Sequence, residues 1–306
     1  MKYLILILLS LCSYSTDLSG QIIMPTPGKI ERADGRLRLQ GKIRMYAEES
    51  PGSFIRLFYE KLVPESAVEW CKEEVNSHIS WKKDVTLPAE GYRIRVTPER
   101  IIVRAADDAG FIYAIQSLRQ WNTGEERGLI FPCVEITDFP RVKWRSFMLD
   151  SGRQYQKVST IKKYIDMASM LKMNYFHWHL TEGLGWRIEI KRYPFLTRIG
   201  AFVGQGPEQQ GFYSQEEVKE IIGYAADRGI TVVPEIDMPG HAEAALNAYP
   251  RLGCLNVAVK VPQSGFTQNI FCAGKDSTLI FLKNVLDEVC RMFPSAYIHL
   301  GRSEER

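Results

Sequence analysis

From residue 140 onward, short apolar strands alternate with amphipathic helices, and this rhythm constrains the fold more than any other feature. Strand-like runs at 144–149, 175–179, 231–236 and 297–300 are separated by helix-like runs at 158–171, 214–228 and 279–293. Such alternation predicts parallel βαβ units, because parallel neighbours need a long crossover between them. The 214–228 run carries its own punctuation. Ser214 and Glu217 form a capping box, and Gly229 follows the helix. Polar and unusual residues collect just after each strand, where a β/α barrel keeps its active site. The predicted fold class is α/β: a small N-terminal α+β domain followed by the first half of a TIM (β/α)8 barrel. Only four strands are readable over 141–306, whereas a closed barrel has eight over about 250 residues.

Residues 21–137 read as a separate unit. Residues 92–96 alternate apolar and polar, as a half-buried strand does, and 101–104 is a second strand after a turn at Pro98. Helical spacing over 108–120 puts Phe111, Ile115 and Leu118 on one face. The residue before Pro140 is pushed toward extended geometry, which makes 137–140 the expected hinge.

The first 20 residues have the layout of a secretory signal peptide. Lys2 precedes an apolar run at 4–11 and a polar stretch at 13–20, too short to span a bilayer. Cleavage after Gly20 is expected, and with it export to the periplasm or the exterior. Cys12 offers an alternative lipid attachment site, as in an outer-membrane lipoprotein, although Leu11 is larger than such processing favours. No second apolar span follows, so no membrane span is expected. A net charge of +3 without any basic block predicts no nucleic-acid partner. The six cysteines form neither a stapled framework nor a zinc pattern. Cys254 and Cys272 flank one loop and read either as a disulfide or as buried thiols.

Four strings sit at successive strand ends: LDSGR (149–153), HWHLTEGLGWR (177–187), PEIDMPGH (234–241) and HLGRSE (299–304). Their order and wording resemble glycoside hydrolase family 20, the β-N-acetylhexosaminidases, and the resemblance runs over roughly residues 22–301. It implies removal of terminal β-linked N-acetylhexosamine from glycans with retention. The sugar's own 2-acetamido oxygen attacks the anomeric carbon, an exception to the two-carboxylate scheme. No cofactor and no metal are implied, and the partner is an N-acetylhexosamine-terminated glycan. By the same resemblance Glu304 is the acid, His241 tunes it, and Glu182 is the carboxylate linked to that histidine. Arg153 grips sugar hydroxyls with its guanidinium fork. Trp186 is expected either to wall the pocket or to sit in the core, while Asp150 and Asp237 are expected as structural partners at the rim. His177 and His179, two apart, share one side of their strand.

The last string departs from the family's His-x-Gly-Gly-Asp-Glu pattern. Arg302 stands in place of a glycine and Ser303 in place of the aspartate. A serine cannot offset positive charge on the acetamido group, and losing such a partner commonly costs about 2.7–4 kcal/mol of barrier. Residues 302–306 therefore read as a frameshifted tail. A half barrel with open edges is expected to be an inactive and poorly soluble fragment. Two alternatives stay open. One is a metal-dependent barrel hydrolase using His177, His179, Glu235, Asp237 and His241, all plausible ligand types. The other is a non-catalytic glycan-binding protein that keeps Arg153.

Overall fold

The structure, a computed structural model, describes residues 22–124, 128–204, 206–207, 210–261 and 269–301. The expected signal segment and the tail residues Arg302, Ser303 and Glu304 lie outside the described residues. In the first unit, β1 (Lys29–Leu39), β2 (Ile43–Ala47), β3 (Val68–Trp70), β4 (Ile79–Lys83), β5 (Tyr92–Val96), β6 (Ile101–Ala105) and β7 (Leu129–Asp138) form one mixed sheet. Its order is β1-β7-β5-β6-β4-β2-β3. The alternation read in 92–96 is realised: Tyr92, Ile94 and Val96 are buried, while Arg93 and Arg95 are not. Helices α1 (Phe54–Lys61) and α2 (Asp108–Trp121) belong to the same unit. Asp107 caps α2 by accepting from the Gly110 amide at 2.9 Å.

Helix α2 was expected to have one apolar face, but ten of its residues are buried, Gln116 and Ser117 among them. The reason is a second partner. Gln116 Nε2 donates to Ser169 Oγ of the following unit at 2.9 Å. An all-round buried helix between two layers needs polar residues that find each other, which one-sided periodicity does not reveal.

That following unit contains β8 (Ser146–Asp150), α3 (Val158–Met170), β9 (Tyr175–His179), the hairpin strands β10 (Thr181–Glu182) and β11 (Gly185–Trp186), α4 (Phe195–Arg198), α5 (Gln215–Ala226), β12 (Thr231–Glu235), α6 (Glu243–Ala248) and α7 (Asp276–Met292). Strands β8, β9 and β12 pair in parallel in the order β12-β9-β8. Phe176 and Trp178 face the helices and join one core with Ile161, Ile165 and Val218. The expected fourth strand at 297–300 is corrected. It makes a single bridge, Glu235 to His299, with the His299 amide donating to Pro234 O and the Ile236 amide donating to His299 O, both at 2.9 Å. Tyr297 and Leu300 remain exposed, so no apolar burial fixes them.

The two units are joined by charge buried between them. Lys172 Nζ donates to Asp138 Oδ2 at 2.8 Å and to Tyr92 OH at 2.7 Å. Arg145 donates to Tyr113 OH at 2.8 Å and pairs with Glu90. Cys254 and Cys272 are surface thiols that hydrogen-bond to each other. Both are free thiols, Cys254 exposed and Cys272 partly buried, so the structure holds neither the disulfide nor a fully buried pair. Among the described residues no helix is long and apolar enough to cross a membrane.

Both halves of the capping box are present at α5, where Ser214 accepts from the Glu217 amide and Glu217 accepts from the Ser214 amide. Ser214→Ala is expected to lower stability by about 1 kcal/mol. The check is a lower urea midpoint at unchanged slope; an unmoved midpoint would show that the cap is dispensable.

Candidate active site

Strand register assembles the site. Asp150 lies opposite His179, and His179 opposite Glu235, so one layer across β8, β9 and β12 carries ionisable side chains on the side away from the helices. His177 Nε2 stands 2.7 Å from Glu235 Oε2, and His299 Nδ1 stands 2.9 Å from Glu235 Oε1. His179 Nε2 stands 3.3 Å from Asp237 Oδ2. Burial alone would raise the Glu235 pKa, but the His177 contact and the charges of the surrounding histidines outweigh it and hold the carboxyl down at about 2. Burial would lower the His179 pKa. Its bond to Asp237 and the charges of Asp150, Asp237 and Glu235 instead push it up to about 9.

A raised histidine pKa has a definite sign in stability. The stabilisation from His179 is complete below its ordinary value of 6.5 and is lost as pH rises through about 9. The urea midpoint is therefore expected to fall between those pH values, and His179→Gln should flatten that segment. A variant that kept the parental slope would place the titration elsewhere.

The rim above this layer carries three of the residues singled out in the sequence. Arg153 donates to Asp150 Oδ2 at 2.6 Å and to Glu182 Oε1 at 3.0 Å, and its amide donates to Asp150 Oδ1 at 2.9 Å. Glu182 Oε1 also meets Nδ1 of His241, while Glu182 Oε2 accepts from the Leu184 amide at 2.9 Å. The Glu182 side chain is 7% exposed against 47% for Arg153, so a buried anion presents a half-exposed cation. Burial opposes the charge on Glu182, yet bonds from His241 and the Leu184 amide, with the Arg153 charge, keep its pKa below the usual carboxylate range. The bond to Glu182 raises the His241 pKa in turn. His241 has φ 51°, a left-handed backbone that favours glycine and that non-glycine residues occupy chiefly where a site holds them there. Among the described residues, no group bonds to its Nε2. Glu243, buried beside this pair, has its pKa raised by burial first and by the Glu182 charge second.

Asp150 and Asp237 sit at the rim as partners of Arg153 and His179. Of the two readings of Trp186 the core one holds and the pocket wall is corrected: it is 3% exposed, packs in the helix-facing core and donates from Nε1 to Ile188 O at 2.8 Å. The hairpin strand that carries it turns the indole away from the rim. Glu304 lies outside the described residues.

Two groups could offer three ligand atoms to a metal: His177, Glu235 and His299, and His179, Glu235 and Asp237. Two ligands of one zinc ion, each at its usual bond length in a tetrahedron, stand about 3.3 Å apart. The His177–Glu235 and His299–Glu235 separations of 2.7 and 2.9 Å are shorter. In the second group His179 stands 3.3 Å from Asp237 and 3.7 Å from Glu235, and among the described residues His177 Nε2, His179 Nδ1, Glu235 Oε2 and Asp237 Oδ1 are buried without a hydrogen-bond partner.

Parallel βα units bring an arginine, a glutamate and a histidine together at the C-terminal ends of the strands, the side on which β/α-barrel folds carry their sites. The chain belongs to glycosyl hydrolase family 20: that family's catalytic-domain model matches residues 142–306, and its domain 2 model matches residues 21–139. A crystal structure of β-N-acetylhexosaminidase from Bacteroides fragilis is 97% identical, covering 92% of this chain and 56% of that one, with a TM-score of 0.89. The Vibrio harveyi exo-β-N-acetylglucosaminidase, solved in complex with N-acetylglucosamine, is 30% identical over 93% of this chain and 47% of its own, with a TM-score of 0.84. A β-hexosaminidase of Porphyromonas gingivalis is 40% identical over 93% of this chain and 39% of its own length. The chain thus spans about half the length of the relatives it matches.

Proposed function

We propose that the full-length gene product is an exported exo-β-N-acetylhexosaminidase that cleaves terminal β-linked N-acetylhexosamine by substrate-assisted, retaining hydrolysis. The observation that carries this reading is the convergence of Arg153, Glu182 and His241 on one rim. The Arg153 guanidinium grips neighbouring sugar hydroxyls, and Glu182 keeps it aimed. The acetamido oxygen attacks the anomeric carbon as the glycosidic C–O bond breaks, and Glu304 gives its proton to the departing oxygen. The Glu182–His241 pair offers His241 Nε2 to that acid. Names of relatives that cite N-acetylglucosamine support an N-acetylglucosamine-terminated glycan as substrate. The Lys2 start and the apolar run at 4–11 support export.

Release of p-nitrophenol from p-nitrophenyl N-acetyl-β-glucosaminide, inhibited by an N-acetylglucosamine thiazoline, is the expected result. Tight thiazoline binding without turnover would favour the glycan-binding alternative. Dialysis against EDTA is expected to leave the rate unchanged. A loss that zinc restores would favour the metal-dependent alternative.

A further inference from the structure

Beneath the rim lies an arginine to which the family resemblance assigns no role and which the proposed reaction does not use. Arg187 is fully buried, and its guanidinium is satisfied by main-chain carbonyls alone. Nε donates to Ser151 O at 2.9 Å. Nη1 donates to Ala201 O at 2.8 Å and to Gly211 O at 3.1 Å. Nη2 donates to Gly152 O at 2.9 Å and to Leu184 O at 3.3 Å. Burial pulls its pKa down to about 10, with nearby Tyr213 and the charges of Asp150 and Glu182 opposing, so it stays a cation at neutral pH. A buried cation without a carboxylate partner is expensive unless all its donors are used, and here every nitrogen bonds to a loop.

Those loops are not arbitrary. Ser151 and Gly152 immediately precede Arg153. Leu184 is two residues beyond Glu182, and its amide already bonds to the Glu182 carboxylate. Ala201 and Gly211 bracket a third loop next to them. The chain also makes room for this group: a Cβ on Gly185 would sit 2.0 Å from Arg187 Cζ. We propose that Arg187 is a positioning residue, a hub whose planar fork fixes the two loops that place Arg153 and Glu182 at one rim. A lysine cannot replace it, because an ammonium has three donors and no fixed plane.

The test uses Arg187→Lys, which keeps the charge, and Gly185→Ala, which leaves Arg187 in the sequence but blocks its seat. Both are compared with the parent full-length gene product by amide hydrogen exchange and by kinetics. Exchange at 151–153 and 182–184 is expected to rise at least about tenfold in both variants, with α1 unchanged. The kinetic arm rests on the hydrolase reading: kcat/KM is expected to fall about a hundredfold, because small misplacements cost that much, with KM raised through Arg153 and kcat lowered through His241. Variants that melt lower yet keep parental kcat/KM and parental exchange at these amides would overturn the proposal and leave Arg187 a mere stabiliser. A parent that fails to turn over substrate would sink the hydrolase reading instead, and the exchange arm would still judge Arg187.

Discussion

Glu182→Gln in the full-length gene product is expected to reduce kcat/KM for an aryl N-acetyl-β-glucosaminide about 10²–10³-fold, since truncating one member of a buried charge pair costs about 2–5 kcal/mol. The substitution keeps the shape and removes the charge that two partners share. Arg153 loses its 3.0 Å partner and is left with Asp150 alone. His241 loses the bond that raises its pKa, so its imidazolium form should give way at lower pH than in the parent. The kinetic signature is a rise in KM, from the loosened Arg153, together with a fall in kcat, from a histidine that no longer tunes the acid. The His241 ring titration followed by NMR gives the second check. An unchanged titration with unchanged kinetics would mean that Glu182 is a bystander.

The other large effect concerns the junction between the two units. Asp138→Ala is expected to destabilise the protein by about 3–5 kcal/mol, because it leaves a buried cation without its partner. The Lys172 side chain is 7% exposed and that of Asp138 14%, so water cannot take over the charge. Burial already lowers the Lys172 pKa against the pull of Asp138. Adding Lys172→Met to Asp138→Ala should recover much of the loss, since the unpaired cation dominates the cost. Urea denaturation of the parent, both single variants and the double variant measures the coupling. A single-variant loss below about 1 kcal/mol, the range of surface pairs, would show that the junction is open to solvent.

Much of this site was legible in the sequence because strand periodicity is a rigid rule. Once 175–179 is read as a strand, His177 and His179 must share a face, and the register then sets His179 between Asp150 and Glu235. Arg153, Glu182 and His241 were found from family wording, and the structure brings the three together. Trp186 stayed undecided between pocket wall and core because a hairpin with two-residue strands decides which way the indole turns, and no periodicity operates over so short an element. Arg187 was quoted only as part of a string. Its signal, a glycine two positions earlier that clears space for a side chain, is weak until the contact is seen. The partial strand at 297–300 failed for another reason. Apolar composition reports what a segment can bury, but Tyr297 and Leu300 stay exposed, and the pairing is one bridge at His299 with a further bond from the Met238 amide to Leu300 O. Long-range charge pairs such as Lys172 with Asp138, 34 residues apart, leave no mark on local sequence.

The central claim is that a sugar with a 2-acetamido group is seated on the rim formed by Arg153, Glu182 and His241. A crystal structure of the full-length gene product soaked with an N-acetylglucosamine thiazoline tests it directly. The ring hydroxyls should lie within hydrogen-bond reach of the Arg153 guanidinium, about 3 Å, with the thiazoline on the His241 side. Ligand density away from both residues, with Arg153 still locked to Asp150 and Glu182, would contradict it.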